Sequence, residues 1–126
     1  MSTAGSLAKI GQIAVNAKDI DRATAFYRDV LKVPFLFPAG TMSFFDCSGT
    51  WLMLGVASSP EFDHPSSILY FDVDDIDAEY QRLADQGVAF SAKPHFVHRQ
   101  PDRELFLAFF EDSEGNTLAL RTWKNT

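Results

Sequence analysis

Apolar side chains along this chain follow two rhythms, a short-period one and a helical one, and the succession of the two is repeated once. Ile10 to Val15 (IGQIAV) is a short apolar run with a polar interruption, which reads as a strand. Asp19-Ile20-Asp21 then supplies a helix N-cap signal. Behind it Ala23, Phe26, Tyr27, Val30 and Leu31 fall at i, i+3, i+4, i+7 and i+8, one apolar helix face. Pro34 stops the helix, because a proline lacks the N–H and clashes with the preceding turn. Phe35 to Phe37, Met42 to Cys47 and Trp51 to Val56 read as three strands, divided by the turn-like Pro38-Ala39-Gly40 and Ser48-Gly49-Thr50.

A polar linker follows, ASSPEFDHPS, and the programme starts again. Ser67 to Val73 reads as a strand and Asp75-Ile76-Asp77 as a second N-cap signal. Ile76, Tyr80, Leu83 and Ala84 make the second apolar helix face, with Gly87 where a C-terminal cap glycine belongs. Val88 to Phe90, Phe96 to His98, Glu104 to Phe110 and Thr117 to Trp123 supply three or four further strand segments, and Asp112 to Asn116 the last hairpin turn. Asp75 follows Asp19 by 56 residues, and Asn116-Thr117-Leu118-Ala119-Leu120 follows Thr50-Trp51-Leu52-Met53-Leu54 by 66. The extra ten fit the longer hairpin around Arg99 to Arg103. An internal repeat of this length is one supersecondary unit used twice. The expected architecture is α+β: two βαβββ modules forming one curved mixed sheet, with the helices on its outer face and a concave face inside. A short arm at residues 1–6 precedes a single domain over 7–124, made of repeats 7–57 and 67–124 joined by the linker 58–66.

Bulk composition narrows the function. Hydrophobic residues make up 46% of the 126 positions and phenylalanine alone supplies 12, enough for a packed core. A net charge of -6 opposes phosphate backbones, so nucleic acid is not an expected partner. No apolar run reaches the roughly 20 residues that cross a bilayer. Met1 to Lys9 has no apolar signal core and reads as a flexible arm. Cys47 is the single cysteine, so no disulfide can form within the chain, which suits a reducing cytoplasm. In a phenylalanine-rich strand it reads as a small buried apolar residue.

The run DIDRATAFYRDVL, from Asp19, and the closing FFEDSEGNTLAL, Phe109 to Leu120, carry a resemblance that extends from about Leu7 to Lys124. The chain resembles the glyoxalase / bleomycin-resistance / extradiol dioxygenase (vicinal oxygen chelate) superfamily. That resemblance implies paired βαβββ modules and a homodimer. It fixes no single chemistry, because a fold does not imply a function. In metal-dependent members the ligands come from the first and last strand of each module, positions that correspond here to Gln12, Met53, Ile68 and Ala119. Ile68 and Ala119 have no donor atom, Met53 offers a soft thioether and Gln12 an amide oxygen. A catalytic divalent ion usually has about three protein ligands. The expectation is therefore no metal at these positions.

Side-chain alternation predicts what the concave face carries. Leu52, Leu54, Leu69, Phe71, Val73, Leu118 and Leu120 should pack under the helices. Gln12, Ala14, Asn16, Trp51, Met53, Ile68, Tyr70, Asp72, Thr117, Ala119, Arg121 and Trp123 should face the concavity. This is an apolar and aromatic lining with few polar groups, the composition of a small-molecule pocket. Trp51, Tyr70 and Trp123 could stack on a flat or cationic ligand, and Arg121 could clamp an anion. Equally, Arg121 could pair with Asp72, the tryptophans could fill a core or a dimer seam, and Gln12 could be a buried amide bonded to backbone. His95 and His98, three apart on a strand, are expected on opposite faces and so unable to chelate together; His64 sits in the linker beside Pro65. A site rebuilt from His98 with Glu104 or Asp102, or a lid made by this hairpin, is the alternative. Gly-rich phosphate loops, G-x-S-x-G and C-x-x-C are missing from the sequence. The leading expectation is a metal-free binding protein for a small apolar or aromatic molecule. The alternatives are a lyase, isomerase or dioxygenase using a displaced metal or the acid/base candidates Tyr70, Asp72 and His98, and a partner domain whose concavity is filled by its own side chains.

Overall fold

A computed structural model describes residues 7–126; the arm expected at 1–6 lies outside the described residues. The first module comprises β1 (Gln12–Asn16), α1 (Ile20–Ala25) running on into a π-turn at Phe26–Val30, β2 (Phe35–Ala39), β3 (Met42–Cys47) and β4 (Thr50–Gly55). A single 3-10 turn, Pro60–Phe62, breaks the linker. The second module comprises β5 (Leu69–Asp72), α2 (Ile76–Asp85), β6 (His95–Gln100), β7 (Arg103–Glu111) and β8 (Thr117–Asn125). Strand order is β1-β4-β3-β2 in one sheet and β5-β8-β7-β6 in the other, so the two modules repeat one topology. In each, the first strand runs parallel to the last and the other pairs are antiparallel.

Both helices start where the sequence marks them. The Asp19 carboxylate accepts the Arg22 N–H at 3.1 Å and the Asp75 carboxylate the Ala78 N–H at 3.1 Å, each satisfying an otherwise orphaned first-turn donor. α2 ends as its glycine predicts: Gly87 has φ +85°, its N–H bonds Ala84 O at 3.0 Å, and the Val88 N–H bonds Leu83 O at 3.1 Å. α1 departs from a regular helix. The Leu31 N–H reaches back five residues to Phe26 O at 3.0 Å, the extra residue of a π-turn. Tyr27 is thereby fully buried while Phe26, Val30 and Leu31 remain packed against the same core.

One apolar core serves both modules. Val15, Ala23, Tyr27, Phe45, Leu52 and Leu54 from the first meet Ile76, Leu83, Phe110, Leu118 and Leu120 from the second in a single cluster. The curvature predicted for one sheet is built from two four-stranded mixed sheets with β1 and β5 at their edges, and at the end of β1 side chains take up the backbone groups of Asn16. The Asn16 N–H donates to Ser66 Oγ at 2.8 Å, and the Asn16 carbonyl accepts Asn116 Nδ2 at 2.8 Å. Val88 to Phe90 forms only one bridge, Phe90 to Phe110, and not a strand. The β2–β3 hairpin closes at Ala39–Met42, whereas β6–β7 extends to Gln100–Arg103, with β8 following it as far as Asn125. Only about half of the surplus of the second repeat enters this hairpin and the turn after it; the rest lies between α2 and β6, where nine residues (86–94) stand in place of the four (31–34) of the first module.

Candidate functional site

Register fixes which side chains share the concave face. Leu52 and Leu54 are buried beneath α1, so Trp51 and Met53 on the same strand face the other way, alongside Gln12 and Ala14. Phe44 lies opposite Met53, and Phe37 lies opposite Phe44. Three rings therefore meet: Phe37 stacks on Phe44 at 4.8 Å between centroids, and Trp51 stands edge-on to both at 5.7 and 5.6 Å. Trp51 keeps 39% of its surface exposed. Alternation alone did not reveal Phe37, because a register shift between Phe35 and Phe37 breaks the period of two; Phe44 lies on β3, whose pairing with β4 is regular. The signal available was the Phe44-Phe45 pair, of which only Phe45 can point into the core. Beside this cluster a cavity of about 430 Å³ opens between the sheet and the linker, lined by Ala14, Met42, Met53, Val56, Phe62 and His64. Its linker wall is pinned by Asn16 Nδ2 donating to Asp63 at 3.1 Å.

The second module pairs several of the groups on its own face with one another. Tyr70 meets Phe109 edge-on at 6.0 Å, and Ala119 beside them is 0% exposed, out of reach of any ligand. Arg121 donates to both oxygens of Asp72, at 2.6 and 3.1 Å, which raises the Arg121 pKa through that hydrogen bond. The pairing alternative is thus the one the structure contains. The Arg103 guanidinium covers the Trp123 ring at 3.9 Å, and His98 approaches the same ring at 6.4 Å. Ile68 and Tyr70 are exposed, at 44% and 48%. The acid/base candidates Tyr70, Asp72 and His98 lie on one face, but Asp72 is engaged by Arg121 and His98 by Trp123.

The two histidines of β6 depart from the sequence expectation. A second register shift, between Phe96 and His98, leaves His95 opposite Leu107 and His98 opposite Leu105. Leu105 and Leu107 share a face, so His95 and His98 do too. Val97 is the extra residue that the simple alternation did not allow for.

The contact between modules is asymmetric. Asp112, buried in the β7–β8 turn, accepts the Tyr27 hydroxyl at 2.6 Å and the backbone N–H groups of Glu114 and Asn116, each at 2.8 Å. Burial first, and then the Asp112 charge, pushes the Tyr27 phenol far up. Glu114 accepts the Lys18 and Asp19 N–H groups at 2.8 Å and pairs with Arg22 at 2.7 Å. Burial alone would raise its carboxyl; the bonds from Arg22, the Asp19 N–H, Ser113 and the Lys18 N–H outweigh that and hold it at about 2. At the pseudo-equivalent corner, Asp46, Cys47 and Ser48 instead line a cleft of about 550 Å³ beside Asp72 and Val73. Burial raises the Cys47 thiol there.

A family model for the Glyoxalase/Bleomycin resistance protein/Dioxygenase superfamily matches residues 9–120. The chain belongs to that superfamily. Among curated proteins it is 22% identical, over 114 residues, to metallothiol transferase FosB of Lysinibacillus sphaericus (strain C3-41), covering 90% of this chain and 81% of that one. Among solved structures, a Glyoxalase/bleomycin resistance protein/dioxygenase superfamily member from Sphaerobacter thermophilus DSM 20745 superposes with a TM-score of 0.78 at 21% identity, covering 92% of this chain and 98% of that one. A lactoylglutathione lyase from Agrobacterium tumefaciens gives 0.70 at 24%, covering 91% and 93%. Likeness at these identities shows the glyoxalase fold alone.

The four superfamily ligand positions do not fit a divalent ion in this glyoxalase-like chain. Gln12 Nε2 is turned to Met53 Sδ at 3.6 Å, Ile68 has no lone pair, and Ala119 is buried. Among the described residues no three or more His, Cys, Asp and Glu side chains gather at one place. No helix among the described residues is long and apolar enough to cross a membrane.

Proposed function

We propose that this superfamily member is a metal-free small-molecule-binding protein of the cytoplasm, working as a homodimer. Its ligand is small and mostly apolar or aromatic, and it docks on the concave face of the first module. The observation that carries the reading is the exposed ring cluster Phe37, Phe44 and Trp51, adjoining a 430 Å³ cavity lined by methionines. Flat rings and polarisable thioethers receive aromatic ligands by stacking and sulfur–ring contact. The cavity volume falls in the range of small-molecule sites, roughly 300–1,000 Å³. Exposed Leu36, Ile68 and Phe96 add apolar surface of the kind a second copy covers.

The test is titration with an anilinonaphthalene sulfonate dye in chelator, followed by native mass spectrometry. Saturable binding unchanged by chelator, and weakened tenfold or more by Trp51→Ala, is expected. A stoichiometric divalent ion that survives purification and disappears in Gln12→Ala would sink the reading. One observation favours a second reading, a metal-using transferase: the likeness to metallothiol transferase FosB. That enzyme would have to recruit donors from outside Gln12, Met53, Ile68 and Ala119.

A further inference from the structure

We propose that His95 and His98 form a bidentate site for a borderline divalent cation such as Cu2+, Ni2+ or Zn2+. The site is apart from the superfamily's ligand positions and independent of ligand binding by the first module. Three residues apart on a regular strand, the two imidazoles would face opposite ways. The bulge at Val97 cancels one residue of that spacing. His95 sits across from Leu107 and His98 across from Leu105, on one face and two rungs apart. Two rungs of strand are about 7 Å between Cα atoms. From there two imidazoles can converge on one ion at the usual Zn–N distance of about 2.0–2.1 Å.

Ring contacts support the placement. His98 stands edge-on to Trp123 at 6.4 Å, and Trp123 is the cross-strand partner of Leu105, so His98 is on that face. His95 Nδ1 lies 3.2 Å from the Lys93 carbonyl. A proton on Nδ1 in that contact would fix the tautomer and leave Nε2 as the donor, the role that an outer carbonyl has behind many metal-bound histidines. Both histidines are exposed, so an ion has access and needs no opening of the core. Neutral imidazole suits Cu2+, Ni2+ and Zn2+ better than it suits Mg2+ or Ca2+, and affinity should rise toward Cu2+. With two protein donors the remaining coordination positions are open to water.

The experiment is a Cu2+ titration of the full chain carrying Trp51→Phe, which leaves Trp123 as its sole indole. Bound Cu2+ beside His98 should quench Trp123 fluorescence with one-to-one saturation. His95→Ala and His98→Ala should each weaken the quenching at least tenfold, His98→Gln should do the same while keeping a polar side chain, and His64→Ala should leave it unchanged. Quenching that survives either β6 histidine variant, that is lost with His64→Ala, or that never appears overturns the proposal. With Trp51 in place, dye binding by the first module stays intact in the His95 and His98 variants, so failure here is distinguishable from failure of the binding-protein reading.

Discussion

Where α1 begins, the β7–β8 turn of the second module is locked against it: Asp112 holds Tyr27, and Glu114 caps Lys18 and Asp19 while gripping Arg22. Where α2 begins, the matching β3–β4 turn of the first module has Asp46 accept its own Gly49 N–H, and a cleft remains between Asp46 to Ser48 and Asp72 to Val73. The concave faces differ as well. The second module pairs its charged groups internally, through Asp72–Arg121 and Arg103–Trp123, while the first gathers Phe37, Phe44 and Trp51 into one cluster beside a cavity. One topology used twice has therefore diverged into a bracing half and a receiving half. Backbone pairing tolerates either role, because strand and helix geometry depend on apolar pattern and caps and not on which polar groups fill the turns and the solvent-side faces.

The largest effect should come from breaking the brace. Asp112→Ala orphans the Tyr27 hydroxyl and two backbone N–H groups. Each buried unsatisfied donor costs roughly 1–3 kcal/mol, so urea unfolding should show a loss of about 3 kcal/mol or more. The mirror substitution Asp46→Ala removes one bond to the Gly49 N–H, 2.9 Å long, and should cost about 1 kcal/mol or less. Equal losses would end the asymmetry.

Next comes acid sensitivity. The folded Glu114 carboxyl lies at about 2 against an ordinary value of 4.5, so its stabilising contribution is present above pH 4.5 and is lost as pH falls toward 2. A shift of that size corresponds to about 3 kcal/mol. Glu114→Gln should flatten the stability profile across that window, measured by thermal unfolding at a series of pH values; an unchanged slope would remove Glu114 from the brace.

On the receiving half, Trp51→Ala should weaken dye binding tenfold or more, about 1.4 kcal/mol, while Trp123→Ala, beneath Arg103, should change it less than threefold. The smallest effect belongs to Arg121→Gln. Its partner Asp72 is 70% exposed, and exposed pairs contribute roughly 0–1 kcal/mol, so the unfolding midpoint should barely move.

Much of the fold was legible along the chain. Asp19 and Asp75 marked both helix starts, Gly87 marked the end of α2, and the repeat gave the module count. The pocket was legible in part. Trp51, Met53 and Gln12 share the expected face, yet Ala119 is sealed beneath its neighbours and Arg121 is spent on Asp72, since alternation assigns a face but not its cover. Phe37 and the His95–His98 pair were hidden by bulges, which shift facing by one residue without leaving a mark in composition, whereas Phe44 follows the regular alternation of β3.

What the sequence determined by itself is local: where helices cap, which strands alternate, and that the programme runs twice. Those signals depend on interactions within a few residues, and they are written in consecutive letters. What only the tertiary structure decided is which edges meet, which charges find each other and which rings stay uncovered. Tyr27 and Asp112 are 85 residues apart and Asn16 and Asn116 are 100 apart, and no local pattern specifies partners over such distances. They are chosen by the packing of one shared core.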